Sequence, residues 1–350
     1  SDIYINSTFP EIEIVMAGAH VTFRDLETLK RHKDISYIIR YEPDYVLTNL
    51  VKTLKTKGDL SQVKGITYRV GNHIIRNPED LPVEDLDKLP FPARSLFPIK
   101  KYLEKDSETI LQGSRGCSNR CYFCQSSAMN RVLRFRSILN IIKEIKEVLS
   151  LGFESIFFYD SDFGISEKRV IQFCKEILKK EIKFRWVCNM RADRIKNTVS
   201  CEKMLALMKK SGCYRIFVGF ETFSDEALED INKGIKISNL LTTVNLLKKH
   251  KISLHASFLF GLPNDTKESI KRTVKFAKRI NPEIVSFNLL TPFPGTPMGD
   301  YPQNLGITIS NRYWYEKKEY INKQASGNKY LTPEDLEKLQ KWAYTYFCSK

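Results

Sequence analysis

Cys117, Cys121 and Cys124 fall within eight consecutive positions, in a run from Gly113 to Cys124 that reads Gly-Ser-Arg-Gly-Cys-Ser-Asn-Arg-Cys-Tyr-Phe-Cys. Thiolates grouped this tightly are soft ligands, suited to zinc, copper(I) or an iron–sulfur cluster. Structural zinc usually takes four protein ligands, and no second Cys-x-x-Cys and no His-x-x-x-His occurs in the chain to complete such a set. A 4Fe–4S cluster on three thiolates would leave one iron open to a small ligand, which makes a reactive site. A redox dithiol and a chance grouping are the competing readings.

Four further residues have chemistry to offer, each at the end of an apolar, strand-like run. Asp160 and Asp162 lie in Phe-Phe-Tyr-Asp-Ser-Asp-Phe, residues 157–163. Their carboxylates can accept from an ammonium or from ribose hydroxyls, or they can belong to a polar loop that Ser166 turns into a helix cap. Arg191 can clamp a carboxylate through two parallel hydrogen bonds or form a surface salt bridge with Asp193 or Glu202. Glu221 ends the run Gly-Phe-Glu-Thr, and a carboxylate there can read a ribose diol. The other five cysteines and five histidines are scattered and read as structural, although strand alternation allows His255 to face inward.

Positioning these groups requires strands that all end on one side. Residues 105–300 alternate strand-like and amphipathic helical runs, the signature of a parallel α/β sheet. Strands are predicted at 108–113, 154–159, 183–188, 214–219, 253–260 and 284–289, and helices at 136–150, 167–180, 200–211, 238–250 and 266–279. That is the inventory of a partial (β/α)6 barrel, in which chemistry gathers where strands end. Residues 1–77 read as part of a Rossmann-like unit, with strands at 12–16 and 36–40, helices near 25–33 and 44–55, and a hairpin across Gly71-Asn72. Residues 78–104 are proline-rich and charged and read as a linker. Residues 301–350 read as a C-terminal helical extension, with a capped helix beginning at Thr332-Pro333.

The spacing Cys-x-x-x-Cys-x-x-Cys, with an aromatic residue before the last cysteine, resembles the signature of the radical S-adenosylmethionine (SAM) superfamily. The resemblance covers residues 105–298, and more weakly 12–98. It implies a 4Fe–4S cluster on Cys117, Cys121 and Cys124, whose open iron is chelated by SAM. It also implies a SAM site shaped by Asp160, Asp162, Arg191 and Glu221. Residues 1–77 are similar to the latter half of the cobalamin-binding domain that precedes many such barrels, where a Gly-Gly-x-His-like turn is followed by a Gly-Glu-Gly-Glu-like turn. Here the second turn is Tyr41-Glu42-Pro43-Asp44, and the cobalamin-ligating Asp-x-His-x-x-Gly is absent from the sequence. The expectation is therefore a truncated cobalamin-type domain, with cobalamin binding by this chain improbable. Members of the family methylate, cyclise or couple small molecules, lipids and tetrapyrroles, and draw electrons from a ferredoxin or flavodoxin. The alternatives are a tRNA-modifying, methylthiotransferase-like enzyme and a non-catalytic truncated iron–sulfur barrel.

Composition narrows the classes further. The 350 residues, 42% hydrophobic and 28% charged, read as a globular protein of about two domains. No apolar run approaches the roughly 18–20 residues of a membrane span, and the first residues lack the regions of a signal peptide. With an oxygen-sensitive cluster, the expectation is a cytoplasmic protein. The net charge of +15 admits nucleic acid as a partner, but the basic residues are spread over helix faces, and lysine-rich solvation of those faces is the favoured reading.

Overall fold

The computed structural model describes residues 11–103, 107–129, 132–310 and 323–349. Residues 1–10 of the predicted N-terminal unit and 311–322 of the predicted extension thus lie outside the described residues. Near the N-terminus, β1 (Val15–Ala17) pairs in parallel with β2 (Tyr37–Ile39), and β3 (Ile66–Val70) and β4 (His73–Arg76) continue the sheet antiparallel in the order β1-β2-β3-β4. The helix Pro43–Lys55 starts with proline in its first turn, where the missing N–H costs no hydrogen bond, and packs Val46 and Leu50 beneath β2 and β3.

The larger sheet is preceded in function, though not in size, by a two-stranded ribbon that holds the cysteines. In chain order the strands are β5 (Glu108–Leu111), β6 (Ser114–Arg115), β7 (Arg134–Phe135), β8 (Ser155–Phe158), β9 (Arg185–Arg191), β10 (Cys213–Glu221), β11 (Ser253–Phe260) and β12 (Ile284–Leu289). Strands β6 and β7 pair only with each other, and the other six form one all-parallel, curled half-barrel in the order β12-β11-β10-β9-β8-β5. The amphipathic runs between them are helices, and side chains cap their first turns: Ser137 accepts from Asn140 N, Ser166 from Arg169 N, Thr198 from Cys201 N and Thr266 from Ser269 N.

Alternation along the strands divides the sheet into two faces. Phe158, Trp186, Cys188, Ile216, Val218, Phe220 and Phe258 face the helices and are buried, with Phe158, Phe173 and Trp186 packed edge-to-face at 5.3–5.7 Å between ring centroids. The alternate residues form rows across the concave face. One step above the row Glu108, Ser155, Arg185 runs the row Ile110, Phe157, Val187, Arg215, Ser253. Above it stands Asn189, Phe217, His255, and at the C-terminal rim Arg191, Gly219, Ser257, Ser286.

Both edges of this sheet are covered, as open edges are prone to pair with other chains. On β5, Arg94 from the 78–104 segment donates to Ile110 O (3.1 Å) and pairs with buried Glu144 (2.7 Å). On β12, the C-terminal helix Pro333–Cys348 meets Phe287: Tyr344 Oη accepts from its N–H (3.0 Å) and Gln340 Nε2 donates to its carbonyl (2.6 Å). The 301–350 extension is not purely helical. It includes β13 (Ile307–Ile309) and β14 (Ser326–Asn328), an antiparallel pair from which Asn328 Nδ2 donates to Leu262 O and Asp265 O at 2.7 and 3.0 Å.

Candidate functional site

The cysteine run leaves the C-terminal end of β5 and is fastened to the barrel rim at several points. Gly113 N–H and Ser114 Oγ donate to the two oxygens of Asp160, at 2.7 and 2.6 Å. Tyr122 N–H donates to Ile231 O (3.0 Å), Asn232 Nδ2 to Arg120 O (2.8 Å) and Met298 N–H to Tyr122 O (3.2 Å). Gly116 turns the chain into the loop with φ +98°, a conformation that suits glycine.

Cys117, Cys121 and Cys124 all line one cavity of about 580 Å³ at the rim and concave face of the half-barrel, together with Asp160, Arg191 and Glu221. The sequence-predicted residues are thus brought together from β5, β8, β9 and β10, with the exception of Asp162. Among the described residues, no three Cys, His, Asp or Glu side chains gather at single-metal-ion spacing.

Asp162 is the correction. It is 2% exposed and absent from the cavity wall, and its carboxylate is taken by Arg194 Nε (2.8 Å) and Arg191 N–H (3.3 Å). Asp160 has both oxygens engaged at the root of the cysteine loop, and burial pushes its carboxyl up against the pull of those hydrogen bonds. Ser166 caps the next helix. This strand end therefore shapes the loop more than it offers free acceptors.

Arg191 forms the expected salt bridge with Asp193, in a buried setting instead of on the surface. Nε pairs with Asp193 (2.9 Å), while Nη1 reaches Cys121 Sγ (3.6 Å) and Nη2 donates to Lys233 O (2.5 Å). Glu221 sits at φ +62°, where the β10–β11 register shifts by a bulge. Left-handed backbone at a non-glycine residue costs about 1–2 kcal/mol, and such strain concentrates at functional positions. Lys233 Nζ holds the Glu221 carboxylate at 2.5 Å. A Cβ at Gly219 would stand 3.0 Å from that ammonium, so glycine there leaves room for the pair. Burial works to depress the Lys233 ammonium, but Glu221 and Cys121 outweigh it and the net shift is upward. Burial raises the Cys121 thiol, with Lys233 and Arg191 pulling against it.

Sequence reasoning missed Lys233, and also Arg215 and Asn189, whose inward aim follows from strand alternation alone. His255, read as structural, lines the cavity. It is stacked edge-on with Phe217 at 4.4 Å between centroids, and its Nε2 is 2.7 Å from Ser286 Oγ. Burial, then the nearby Arg215 guanidinium, holds its imidazole down to about 4. This value lies below that of an unfolded histidine, about 6.5. The folded state therefore binds the proton less readily, and the resulting stability is complete above pH ~6.5 and is lost as pH falls toward 4. Imidazole NMR shifts should show His255 neutral at pH 6; a midpoint near 6.5 would contradict the burial argument. Cys174 is buried away from this cavity, and burial pushes its thiol up to about 12.

Comparison with known proteins adds a family to this geometry. The model of the radical SAM superfamily matches residues 111–277. An uncharacterized methyltransferase of Pyrococcus horikoshii is 30% identical over 339 residues, covering 95% of this chain and 72% of that protein. The anaerobic magnesium-protoporphyrin IX monomethyl ester cyclase of Rubrivivax gelatinosus is 31% identical over 321 residues, 89% of this chain but 56% of the cyclase. Among solved structures, the cobalamin-dependent SAM radical enzyme OxsB with aqua-cobalamin and SAM bound superposes with a TM-score of 0.78 at 20% identity, over 99% of this chain and 56% of OxsB. The radical SAM methyltransferase TsrM of Kitasatospora setae gives 0.74 at 17% identity, over 89% of this chain and 62% of TsrM. The chain thus spans little more than half the length of several proteins it matches, and the OxsB likeness extends over the N-terminal sheet as well as the half-barrel.

Proposed function

Because the chain belongs to the radical SAM superfamily, we propose that Cys117, Cys121 and Cys124 hold a 4Fe–4S cluster and that SAM binds beside it in the same cavity. Bound there, the cluster supplies the electron that cleaves SAM to methionine and a 5′-deoxyadenosyl radical, which abstracts hydrogen from a substrate. The observation that carries this reading is the convergence of three thiols, Arg191 and the Glu221–Lys233 pair on one cavity wall.

The chain's own residues supply the setting. Arg191 and Lys233 place two cations beside Cys121, favouring the thiolate form that a cluster requires. Asn119 Nδ2 donates to Cys117 Sγ (3.3 Å), the kind of hydrogen bond that tunes a cluster's potential. Glu221, strained and fixed by Lys233, faces the cavity as an acceptor for the hydroxyls or ammonium of SAM. Asp160 anchors the root of the cysteine loop and Asp162 braces Arg194, so both act through positioning. Phe157, Val187 and Phe217 wall the space below and exclude water from a reactive radical.

The substrate proposed is a small molecule of lipid or tetrapyrrole type, in keeping with the methyltransferase and cyclase relatives, with electrons from a ferredoxin or flavodoxin in the reducing cytoplasm. Among the described residues no helix is long and apolar enough to cross a membrane. The test is anaerobic: reconstitute with iron and sulfide, reduce, add SAM and quantify 5′-deoxyadenosine. Wild type should form it, and Cys121→Ala should form none above background. A reduced, cluster-loaded wild type that leaves SAM intact would sink the proposal.

A further inference from the structure

The cavity has a second charged end, below the level of the cysteines. Arg215 lies on its wall, in one concave row with Phe157 and Val187. Four residues of parallel strand separate Arg215 from Gly219 at the rim, roughly 13 Å at about 3.3 Å per residue. Phe217 and Asn189 lie between the two levels.

The three cations that line the cavity differ in how they are paired. Arg191 has Asp193 and Lys233 has Glu221. Arg215 has no ion-pair partner among the described residues, and its Nε is buried without a hydrogen-bond partner. Its guanidinium lies over the Tyr214 ring at 5.3 Å. A guanidinium stacked on a ring still presents its terminal N–H groups in the plane. Glu108, a carboxylate on the cavity wall one row deeper, accepts instead from Ser155 Oγ and Tyr214 Oη, both at 3.3 Å. The neighbouring titratable group, His255, is neutral at pH 7 and bonded to Ser286.

A buried donor without a partner costs about 1–3 kcal/mol, more when charged, and an arginine on a cavity wall without a carboxylate of its own can take one from a ligand. Resting on the function proposed above, we infer that Arg215 binds a carboxylate of the substrate, so that the substrate is an acid with an apolar body whose reacting carbon lies roughly a nanometre from its carboxylate. Phe157, Val187 and Phe217 receive the body, and the neutral His255–Ser286 pair offers polar hydrogen bonding at the same level without a second positive charge. One cation with a carboxylate nearby suits a monoanion, not a phosphate dianion.

Matched probes test this by calorimetry on the anaerobically reconstituted holoenzyme, independently of turnover. Naphthalene-1-acetate should bind about tenfold or more tighter than naphthalene-1-acetamide, the difference expected of a charge-assisted hydrogen bond. Arg215→Met should bring the two within about twofold, with Arg215→Lys in between. Circular dichroism and iron content of each variant establish that fold and cluster persist. Equal binding of acid and amide by wild type would overturn the inference. So would preference for the acid surviving in Arg215→Met, absence of saturable binding of the acid at millimolar concentration, or tighter binding of 1-naphthyl phosphate. Wild-type 5′-deoxyadenosine formation, measured in parallel, reports on the parent reading alone: acid preference with no SAM cleavage sinks that reading and leaves the Arg215 site standing.

Discussion

Gly116→Ala is expected to abolish iron binding while leaving the half-barrel folded. Gly116 holds φ +98°, and a Cβ added there would lie 2.8 Å from the Val132 carbonyl carbon and 2.9 Å from Leu133 Cα, with the Val132 oxygen nearer still. Those atoms are backbone, so no rotamer change relieves the contact. Unfavourable φ alone costs about 1–3 kcal/mol, and the clash adds to it. The element that gives way is the β6–β7 ribbon, which has only the pairs Ser114–Phe135 and Arg115–Arg134. Its loss frees the segment that aims Cys117, whereas the Phe158–Trp186 core lies on the opposite face of the sheet and is untouched. Iron and sulfide content after reconstitution should fall to a small fraction of wild type, with an unchanged far-ultraviolet circular dichroism spectrum. Gly58→Ala is the comparison, since its Cβ would make ordinary contacts of 3.4 Å or more. Full iron content in Gly116→Ala would show that the ribbon does not set the cysteine geometry.

The sheet and its helices were legible in the sequence because each strand carries a long apolar run and each helix a sharp start. Ser137, Ser166, Thr198, Ser224, Thr266 and Thr332 all cap the helices that follow them. The cysteine positions were legible for the same reason, being tied to the end of one such strand. What escaped notice is set by pairing across the fold. Two-residue strands such as β6 and β7 have no period to detect. Asp160 and Asp162 look equivalent in sequence, and only the partners Gly113 and Ser114 for one, and Arg194 for the other, separate their roles. The turn at Tyr41-Glu42-Pro43-Asp44 looked like a motif that had lost its glycines. In the structure Tyr41 keeps a left-handed φ of +60°, and the two acids of the motif persist as Glu42 and Asp44.

Those two acids give the turn a second use, and Glu42→Ala is expected to weaken both the fold and the hold on the cluster. Glu42 is paired through both oxygens with Arg134 of β7, one contact at 3.0 Å, and also accepts from Arg115 of β6 (3.2 Å) and Val83 N–H (3.0 Å). Asp44 takes Arg115 through two bonds, 2.7 and 3.1 Å. The Glu42 and Arg134 side chains are 10% and 8% exposed. Burial acts to raise the Glu42 carboxyl, but Arg134 and Arg115 outweigh it and hold it below the usual range. A carboxyl depressed in the folded state contributes stability above its unfolded value, near 4.3, and that stability is lost as pH falls through the folded value. Removing one partner of a buried pair leaves an uncompensated charge and costs about 3–5 kcal/mol. The orphan here is Arg134 of β7, while Arg115 of β6 keeps Asp44; these two strands flank Cys117 and Cys121. Glu42→Ala should therefore lower the unfolding midpoint and speed iron loss to a chelator at neutral pH. Near pH 4, where the wild-type pair begins to fail, the difference should shrink. The double variant Glu42→Ala/Arg134→Met should recover part of both losses, because the buried charge leaves with its partner. If the single and double variants release iron at the wild-type rate, the N-terminal sheet and the cysteine loop are mechanically independent, and this turn does not brace the site.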